Sequence, residues 1–325
     1  MTAADTDALV ERALGGDRVA VAKLLSLVEQ GGAGARQVVR RLHPHTGRAW
    51  SVGITGAPGA GKSTLTDALV SCLRADDLEV GVLAVDPSSP FSGGAILGDR
   101  VRMQRHSTDP GVFIRSMASR GHLGGLAVAT PQSVRVLDAV GKPWVIVETV
   151  GVGQVEVEIA SQADTTIVVV NPGWGDEVQA AKAGLLEIAD IFVVNKADRP
   201  GVDATVSDLS GMLELASGGG WRPPIVRTVA TDGDGVAELW EQVRAHRAFL
   251  ESDGAITKRR HARLASELRA LVVEQLLSRW GGVTEGDQFD ALVDKVAARD
   301  TDPYSAVDAL LSGGPYPDGP HSEEA

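Results

Sequence analysis

A glycine-rich stretch, GAPGAGKST at residues 56–64, has the composition and spacing of a loop that holds phosphate. Residues 56–63 fit the pattern G-x-x-x-x-G-K-[ST], with an apolar run before them and a helix-forming run after them. In such a loop the backbone N–H groups turn inward around a β-phosphate, and the start of the helix adds partial positive charge. A glycine turn with a chance lysine is the plainer interpretation. The residues predicted to bind the nucleotide here are Gly56, Ala57, Pro58, Gly59, Ala60, Gly61, Lys62, Ser63 and Thr64.

The base of the nucleotide is indicated by Asn195-Lys196-Ala197-Asp198, which fits N-K-x-D after an apolar run. The Asp198 carboxylate can accept hydrogen bonds from both N1–H and the exocyclic amine of guanine, whereas adenine would leave it unpaired. Two bonds of roughly 1.5–3 kcal/mol each give a preference on the order of a hundredfold or more. We expect the Lys196 stem to lie over the base, Asn195 to tie this loop to the phosphate loop, and Ala230 to offer its N–H to the guanine oxygen. A plain polar turn is the alternative.

Acidic residues near the ends of two other apolar runs could hold a metal ion. The stretch LAVDPSSPFSGGAILGDR carries Asp86 and Asp99, and VIVETVGVGQ carries Glu148 and Gly151. Carboxylates suit Mg²⁺, and the Ser63 hydroxyl is the expected fourth metal ligand. Gly151 could offer its N–H to a γ-phosphate and lose that contact on hydrolysis, which makes residues 151–158 a candidate switch. Asp86 could instead form a turn, and Asp99 could be a surface charge.

The expected reaction is a slow, Mg²⁺-dependent hydrolysis of GTP to GDP and phosphate. Lys62 can reach the β- and γ-phosphates, and with Mg²⁺ and backbone amides it would neutralise charge that moves toward the leaving phosphate. Thr64 is expected near the α-phosphate. The candidate catalytic residues are therefore Lys62, Glu148 and Asp99. Gln154 is a weaker candidate for orienting the attacking water, because only its place in the sequence supports it.

Taken together, the motifs GAPGAGKST, VDPSSPFSGGAILGDR, ETVGVGQVEVEIA and VVNKAD resemble those of the MeaB/ArgK family, which are P-loop G-proteins of the SIMIBI class. The resemblance extends over nearly the whole chain. It implies a homodimeric G-protein that acts as a chaperone for an adenosylcobalamin-dependent acyl-CoA mutase, gating cofactor loading and protecting the mutase. It also implies that Asp86, Asp99 and Glu148 surround Mg²⁺.

The segment GWGDEVQAAKAG matches a third switch of the family, in which Asp176 and Lys182 are the charged pair. The plainer interpretation is an exposed acid at a helix start and a solvated lysine. Two departures leave the partner open, because TVATDG stands where many members have TSA, and Trp174 stands where smaller residues are common. Methylmalonyl-, isobutyryl- and ethylmalonyl-CoA mutase all stay possible.

The elements that must position these residues follow an alternating pattern from about Ala49 to Leu250. Seven short apolar runs alternate with helical stretches: AWSVGIT, EVGVLAVD, GVFIRS, PWVIVET, TTIVVVN, DIFVVNK and PPIVRTVA. This pattern predicts an α/β P-loop NTPase fold with a mostly parallel sheet flanked by helices, and ligands bound at the carboxyl ends of the strands. The predicted regions are an N-terminal helical extension (1–47), the GTP-binding domain (48–250), a C-terminal helical dimerisation extension (251–315) and a disordered tail (316–325).

Composition narrows the function classes. The chain has 325 residues and a net charge of −12, from 31 basic and 43 acidic residues, which argues against a large nucleic-acid surface. The single cysteine, Cys72, excludes an internal disulfide and a multi-thiolate metal site, and a small buried apolar role is expected. The N-terminus does not look like a signal peptide, and no run of about 18 apolar residues occurs. We therefore expect a cytoplasmic protein without membrane contact.

Three other functions stay open at this point. A metallochaperone GTPase would need a Cys/His cluster, and His43 and His45 are the nearest histidine pair. A kinase or ATPase linked to amino-acid transport, the older label attached to ArgK, would need a phosphate-acceptor site. A scaffold that binds GTP without turnover would differ only in phosphate release.

Overall fold

One parallel sheet organises the protein. The computed structural model describes residues 3–87, 104–119, 125–149, 162–173, 187–215, 220–280 and 286–312. Within these residues seven strands pair in the order β3-β2-β4-β1-β5-β6-β7, and every pairing is parallel. The strands are β1 Trp50–Gly56, β2 Val80–Pro87, β3 Val112–Ser119, β4 Trp144–Thr149, β5 Thr165–Val170, β6 Ile191–Asn195 and β7 Ile225–Thr228. The predicted α/β fold is confirmed, with one strand for each apolar run.

The central strands are buried along their length because both faces of the sheet are covered. All residues of β1, β4, β5 and β6 are buried. Strands covered by helices on both faces have continuous Val/Ile-rich runs and lack the in–out alternation of half-exposed strands. The short edge strand β7 does alternate, with Val226 and Thr228 buried and Arg227 exposed between them.

Ten α-helices are present among the described residues. They are α1 Ala3–Leu14, α2 Arg18–Gln30, α3 Gly32–Leu42, α4 Lys62–Ala75, α5 Gly125–Ala139, α6 Val202–Leu215, α7 Val236–Ser252, α8 Ala255–Trp280, α9 Asp287–Ala297 and α10 Pro303–Ser312. Helices α4 and α7 pack on one face of the sheet and form a hydrophobic cluster with buried residues of the strands. Cys72 of α4 lies partly buried against this cluster. No described helix has the length and apolar character that a membrane crossing requires.

The N-terminal helices are part of the core of the sheet domain. Leu24 and Leu25 of α2 and Val38 of α3 are buried in one cluster with Leu83 of β2 and Val145 of β4. The cluster also includes α5, which contacts the N-terminal helices on one side and strands β2, β3 and β4 on the other, and α2 contacts β3 directly. At the start of α2, the Asp17 carboxylate accepts hydrogen bonds from the N–H groups of the first turn, as a helix cap does. The helices therefore cover the face of the sheet opposite α4 and α7.

Arginines from the start of α8 bind the amino ends of the central strands. Arg260 donates to both Asp164 oxygens at 2.8 and 3.1 Å, and Arg263 pairs with the same carboxylate. The Ser51 N–H also donates to Asp164, at 3.0 Å. Burial alone would raise the pKa of Asp164, but the two guanidinium groups outweigh it and hold that pKa below its ordinary value. The first turns of α8 are thus anchored beside β1 and β5.

A second buried network lies beside this one and centres on His246 of α7. Thr165 Oγ1 lies 2.9 Å from His246 Nδ1, and His246 Nε2 lies 3.3 Å from Asp190 Oδ1. The Trp50 indole donates to Thr165 Oγ1, and Arg259 binds Asp190 with two hydrogen bonds. The Asp190 carboxylate can only accept, so the neutral imidazole is assigned its hydrogen on Nε2, and Nδ1 then accepts from the Thr165 hydroxyl. Burial lowers the pKa of His246 and favours this neutral form.

The chain divides into two compact units, Met1–Arg263 and Leu264–Ala325. The second unit contains the remainder of α8 together with α9 and α10, and the last two pack against each other. Along α8, four apolar side chains at intervals of four residues are about half exposed, and these α8 stripe residues are Leu264, Leu268, Val272 and Leu276. The domain boundaries proposed from the sequence stay predictions.

Candidate nucleotide-binding site

The phosphate loop connects β1 to α4, and two of its glycines are required by close packing. Gly56 has φ 140°, and a Cβ there would overlap the carbonyl oxygen of Val169 on β5. Gly61 has φ 92°, and a Cβ there would overlap the amide nitrogen of the Asn195 side chain. Only glycine combines these backbone angles with so little space. The loop is therefore pressed against both β5 and the segment after β6.

Lys62 is the first residue of α4, and its ammonium group lies within the loop. Its Nζ donates to the carbonyl oxygens of Gly56 at 2.8 Å and Ala57 at 3.0 Å, and the residue is only 5% exposed. A buried ammonium at a helix start forms a concentrated positive region. This arrangement suits the β- and γ-phosphate contacts predicted for Lys62.

Ser63 and Glu148 meet at the carboxyl end of the sheet. The Ser63 hydroxyl donates to Glu148 Oε1 at 2.5 Å, and both side chains are buried. Glu148 lies near the end of β4, where its Cα partner on β1 is Ile54, so the strand pairing places it beside the phosphate loop. Mg²⁺ selects hard oxygen ligands at about 2.0–2.1 Å, and a hydroxyl and a carboxylate side by side supply two of them. The donor set fits the ion that the sequence predicts.

Asn195, at the end of β6, joins three parts of the site. Its Nδ2 donates to the Ala60 carbonyl of the phosphate loop at 2.8 Å, and its Oδ1 accepts from Thr228 Oγ1 at 3.0 Å and from Ala230 N at 3.1 Å. Asn195 is 2% exposed. The structure therefore brings together the phosphate loop, the NKAD segment and the segment after β7, as the tie predicted for Asn195 requires. The Ala230 N–H, predicted to reach guanine, is directed to Asn195 here.

The NKAD segment forms a tight turn that leaves Asp198 open to a ligand. Lys196 has φ 60°, a left-handed conformation that is uncommon outside glycine, and its Nζ donates to Gly59 O at 2.6 Å. Ala197 N donates to Thr228 O at 3.0 Å, which holds the turn against β7. Asp198 is exposed, so its carboxylate is accessible to a purine edge.

The remaining predicted residues are described in part or lie outside the described ranges. Asp86 lies in β2 with Ala118 as its Cα partner, and its side chain is not described. Pro58 is exposed at the tip of the loop, and Thr64 is half-buried in the first turn of α4. The predicted residues outside the described ranges are Asp99, Gly151, Gln154, Trp174, Asp176 and Lys182. Their roles stay predictions.

Thr228 is a site residue that the sequence-based prediction missed. It is 1% exposed, and its hydroxyl fixes the orientation of the Asn195 amide. The alternation of buried and exposed residues in β7 could have identified it, because Thr228 follows Val226 by two positions and shares its inward face.

Comparison with known proteins finds similarity along most of the chain. A family model described as methylmalonyl-CoA mutase-associated GTPase MeaB matches residues 21–285. A Pyrococcus abyssi protein described as a GTPase is 53% identical over 309 residues, covering 94% of this chain and 95% of the relative. The mitochondrial methylmalonic aciduria type A homolog of Mus musculus is 32% identical over 266 residues, covering 80% of this chain and 64% of the relative. A crystal structure described as LAO/AO transport system kinase aligns with a TM-score of 0.71 and 27% identity, covering 96% of this chain and 98% of that chain.

Proposed function

The chain belongs to the MeaB family of methylmalonyl-CoA mutase-associated GTPases, and from this premise we propose that it is a Mg²⁺-dependent G-protein chaperone of an adenosylcobalamin-dependent acyl-CoA mutase. The observation that best supports binding of a guanine nucleotide is the contact of the Asn195 side chain, which joins the phosphate loop to the NKAD turn. The mutase part rests on the family description and on the sequence motifs. In this proposal GTP binding and hydrolysis time the loading and protection of the mutase.

In GTP hydrolysis, Lys62 would bind phosphate oxygens, whereas Ser63 and Glu148 would bind the metal ion. Lys62 would move from the carbonyl oxygens of its own loop to the β- and γ-phosphate oxygens, which it can reach from the start of α4. Ser63 and Glu148 would hold Mg²⁺, which supplies charge neutralisation on the phosphate oxygens when it is bound. The Ser63–Glu148 hydrogen bond would have to be exchanged for metal ligation.

Guanine selectivity would come from Asp198 on the exposed side of the NKAD turn. The turn is fixed on one side by the Asn195 contacts and on the other by Ala197 and Thr228. Because the turn is already held in place, the backbone of Asp198 loses little freedom when guanine binds, which favours its two hydrogen bonds to the base.

A homodimer through the C-terminal helices is part of the proposal. The α8 stripe residues, Leu264, Leu268, Val272 and Leu276, lie at i, i+4, i+8 and i+12 and form one face of the helix. Apolar helix faces of this kind are usually covered in a stable protein, and larger exposed apolar patches mark interaction sites. We propose that a second copy of the chain covers this face.

The decisive experiment measures phosphate release and mutase binding with the purified chain. GTP and ATP are compared with Mg²⁺ in the presence and absence of methylmalonyl-, isobutyryl- and ethylmalonyl-CoA mutase, and Lys62→Ala serves as the inactive control. We expect release from GTP only, nucleotide-dependent binding of one mutase, and longer-lived activity of that mutase. If GTP is hydrolysed but no mutase binds or is protected, the chaperone part is wrong.

A kinase linked to transport is the second candidate, because the solved structure with a TM-score of 0.71 is described as a transport system kinase. A kinase would pass the γ-phosphate to an acceptor protein, whereas a GTPase passes it to water. Incubation with γ-labelled GTP followed by gel separation distinguishes the two. Label retained on a protein would favour the kinase, and label released as inorganic phosphate would favour the GTPase.

A further inference from the structure

A basic segment that includes the last N-terminal helix is unusual in this acidic chain. It contains Arg36, Arg40, Arg41 and Arg48, and no Asp or Glu occurs within residues 30–66. The chain as a whole has 43 acidic residues and a net charge of −12. All four arginines are exposed in the structure. The segment is therefore a local positive region on a protein that is negative elsewhere.

One side of α3 attaches the helix to the rest of the protein. Its buried residues, Ala35, Val38 and Leu42, follow i, i+3 and i+7 and form the apolar stripe of the helix. Arg41 joins α3 to α1 through an ion pair with Asp7, with 2.8 Å between Nε and Oδ1. The attachment of α3 therefore depends on these residues and not on the opposite side of the helix.

Arg36 and Arg40 lie on the outward side of α3, and we call this pair the α3 basic face. Within the part of the chain that the structure describes, neither guanidinium has a carboxylate partner, and Arg36 Nε donates to the Gly32 carbonyl at 3.3 Å. The helix dipole favours a cation in the last turn, which includes Arg40, but it does not favour Arg36 in the first half of the helix. Like charges at i and i+4 also repel each other. The pair thus costs the free protein some stability, which a negatively charged partner would offset.

The α3 basic face lies away from the described nucleotide contacts. Helix α3 packs against α1, α2 and α5, on the face of the sheet opposite α4, the helix that follows the phosphate loop. After α3, residues 43–49 lead to the amino end of β1, which is about 20 Å along the strand from Gly56. Asp138 fixes this connection by accepting from the N–H groups of Arg48 at 3.2 Å and Ala49 at 2.9 Å. A partner bound to α3 would meet a surface that is already held in place, and the phosphate loop would stay accessible.

The charge of the remaining chain selects the kind of partner. All 43 acidic residues lie outside residues 30–66, so an extended polyanion such as nucleic acid or an anionic membrane would meet negative surface beyond the basic face. A compact group of carboxylates on a protein avoids this repulsion. The two arginines are about 6 Å apart along the helix axis, and guanidinium groups suit paired hydrogen bonds to carboxylates. An acidic protein surface of small extent therefore fits best.

We propose that the α3 basic face docks on an acidic surface of the partner acyl-CoA mutase, and that this contact forms equally with GTP and GDP. The inference rests on the proposed chaperone function and adds the surface through which the mutase is held. The nucleotide-dependent part of mutase binding then comes from other contacts. Attraction between charged surfaces mainly speeds association, and salt weakens it.

The test measures binding of the full chain to methylmalonyl-, isobutyryl- and ethylmalonyl-CoA mutase by interferometry, with a non-hydrolysable GTP analogue or with GDP. We expect the double variant Arg36→Glu, Arg40→Glu to bind the mutase about tenfold more weakly in about 50 mM NaCl, by a similar factor in both nucleotide states. The difference from the wild type should shrink in about 300 mM NaCl. GTP hydrolysis without the mutase should be unchanged.

Three further variants make the result specific to this face. The double variant Arg222→Glu, Lys258→Glu reverses two charges at exposed positions elsewhere and should bind the mutase as the wild type does. Arg36→Lys with Arg40→Lys keeps the charge and should retain most of the affinity. Arg36→Gln with Arg40→Gln, expected to bind about threefold more weakly, keeps the test valid if thermal unfolding shows that the reversed variant is not folded.

Several results would overturn the inference. One is wild-type affinity in the folded reversed or neutral variant, and another is an equal loss in the control pair, which would make net charge the cause. A loss confined to one nucleotide state would contradict the nucleotide-independent contact. Tighter binding of the wild type to duplex DNA or to vesicles of phosphatidylcholine and phosphatidylserine, lost in the reversed variant, would assign the face to a polyanion. A wild-type protein that binds none of the three mutases would refute the proposed chaperone function, and this inference with it, before any variant is compared.

Discussion

Replacement of Asn195 by alanine should weaken both folding and GTP binding, because one side chain joins three segments of the site. The substitution removes hydrogen bonds to Ala60 O, Thr228 Oγ1 and Ala230 N, at 2.8, 3.0 and 3.1 Å. Each buried bond contributes about 0.5–1.5 kcal/mol net, so the free energy of unfolding should fall by about 1.5–4.5 kcal/mol. The phosphate loop would also lose its link to the NKAD turn, and GTP affinity should fall about tenfold or more.

The assay combines chemical denaturation with calorimetric titration of GTP, and two variants act as controls. Thr228→Val removes only one of the three bonds at nearly constant volume and should cost about 1 kcal/mol of stability. Trp221→Phe removes a single hydrogen bond from Trp221 Nε1 to Asp190 O, 2.7 Å long and at the opposite end of β6, and should leave GTP affinity unchanged. If Asn195→Ala loses stability but binds GTP as tightly as the wild type, the two loops do not act as one unit.

Three further predictions concern the base, the buried histidine and the C-terminal helix. Asp198→Asn should shift preference from GTP toward xanthosine triphosphate, and calorimetry that shows full GTP selectivity would contradict the base-recognition argument. Because burial lowers the pKa of His246 in the folded state, the stability due to neutral His246 is complete above the unfolded pKa of about 6.5 and is lost as pH falls from there through the folded pKa. Denaturation between pH 7.5 and about pH 5 should therefore show a steeper loss of stability in the wild type than in His246→Gln, and equal slopes would refute the assignment. Leu268→Glu should convert a dimer to a monomer in light scattering while Val19→Glu, at another exposed apolar position, should not, and a dimer that persists in Leu268→Glu would exclude this face.

The sequence predicts the sheet well because its signals are local. Continuous apolar runs such as TTIVVV of β5 can be stable only where both faces are covered, so they identify buried strands without knowledge of their partners. The phosphate loop and the NKAD turn are also local, since each follows the carboxyl end of a strand. Asn195 could be linked to the phosphate loop from motif knowledge, and its amide donates to Ala60 O of that loop, while its role in nucleotide binding stays a prediction.

Contacts between distant segments could not be predicted in the same way. Asp67 and Arg105 are 38 positions apart by residue number, and nothing in either stretch indicates the other. Arg260 and Arg263 lie in the predicted C-terminal helical extension, yet they bind Asp164 about a hundred residues earlier. Charge and periodicity show that such residues need partners, but only the fold decides which partner is near.

The packing of the N-terminal helices limits how far the chain can be truncated from its N-terminus. The motifs alone suggest that a minimal nucleotide-binding fragment could begin near Trp50, at the first strand. Such a fragment would lose the helices that pack against α5 and β3, and water would reach the side chains of that shared apolar cluster which α1, α2 and α3 cover in the intact chain. A shortened expression product of this kind should collect in inclusion bodies, and tags are better appended ahead of residue 1 than substituted for the leading helices.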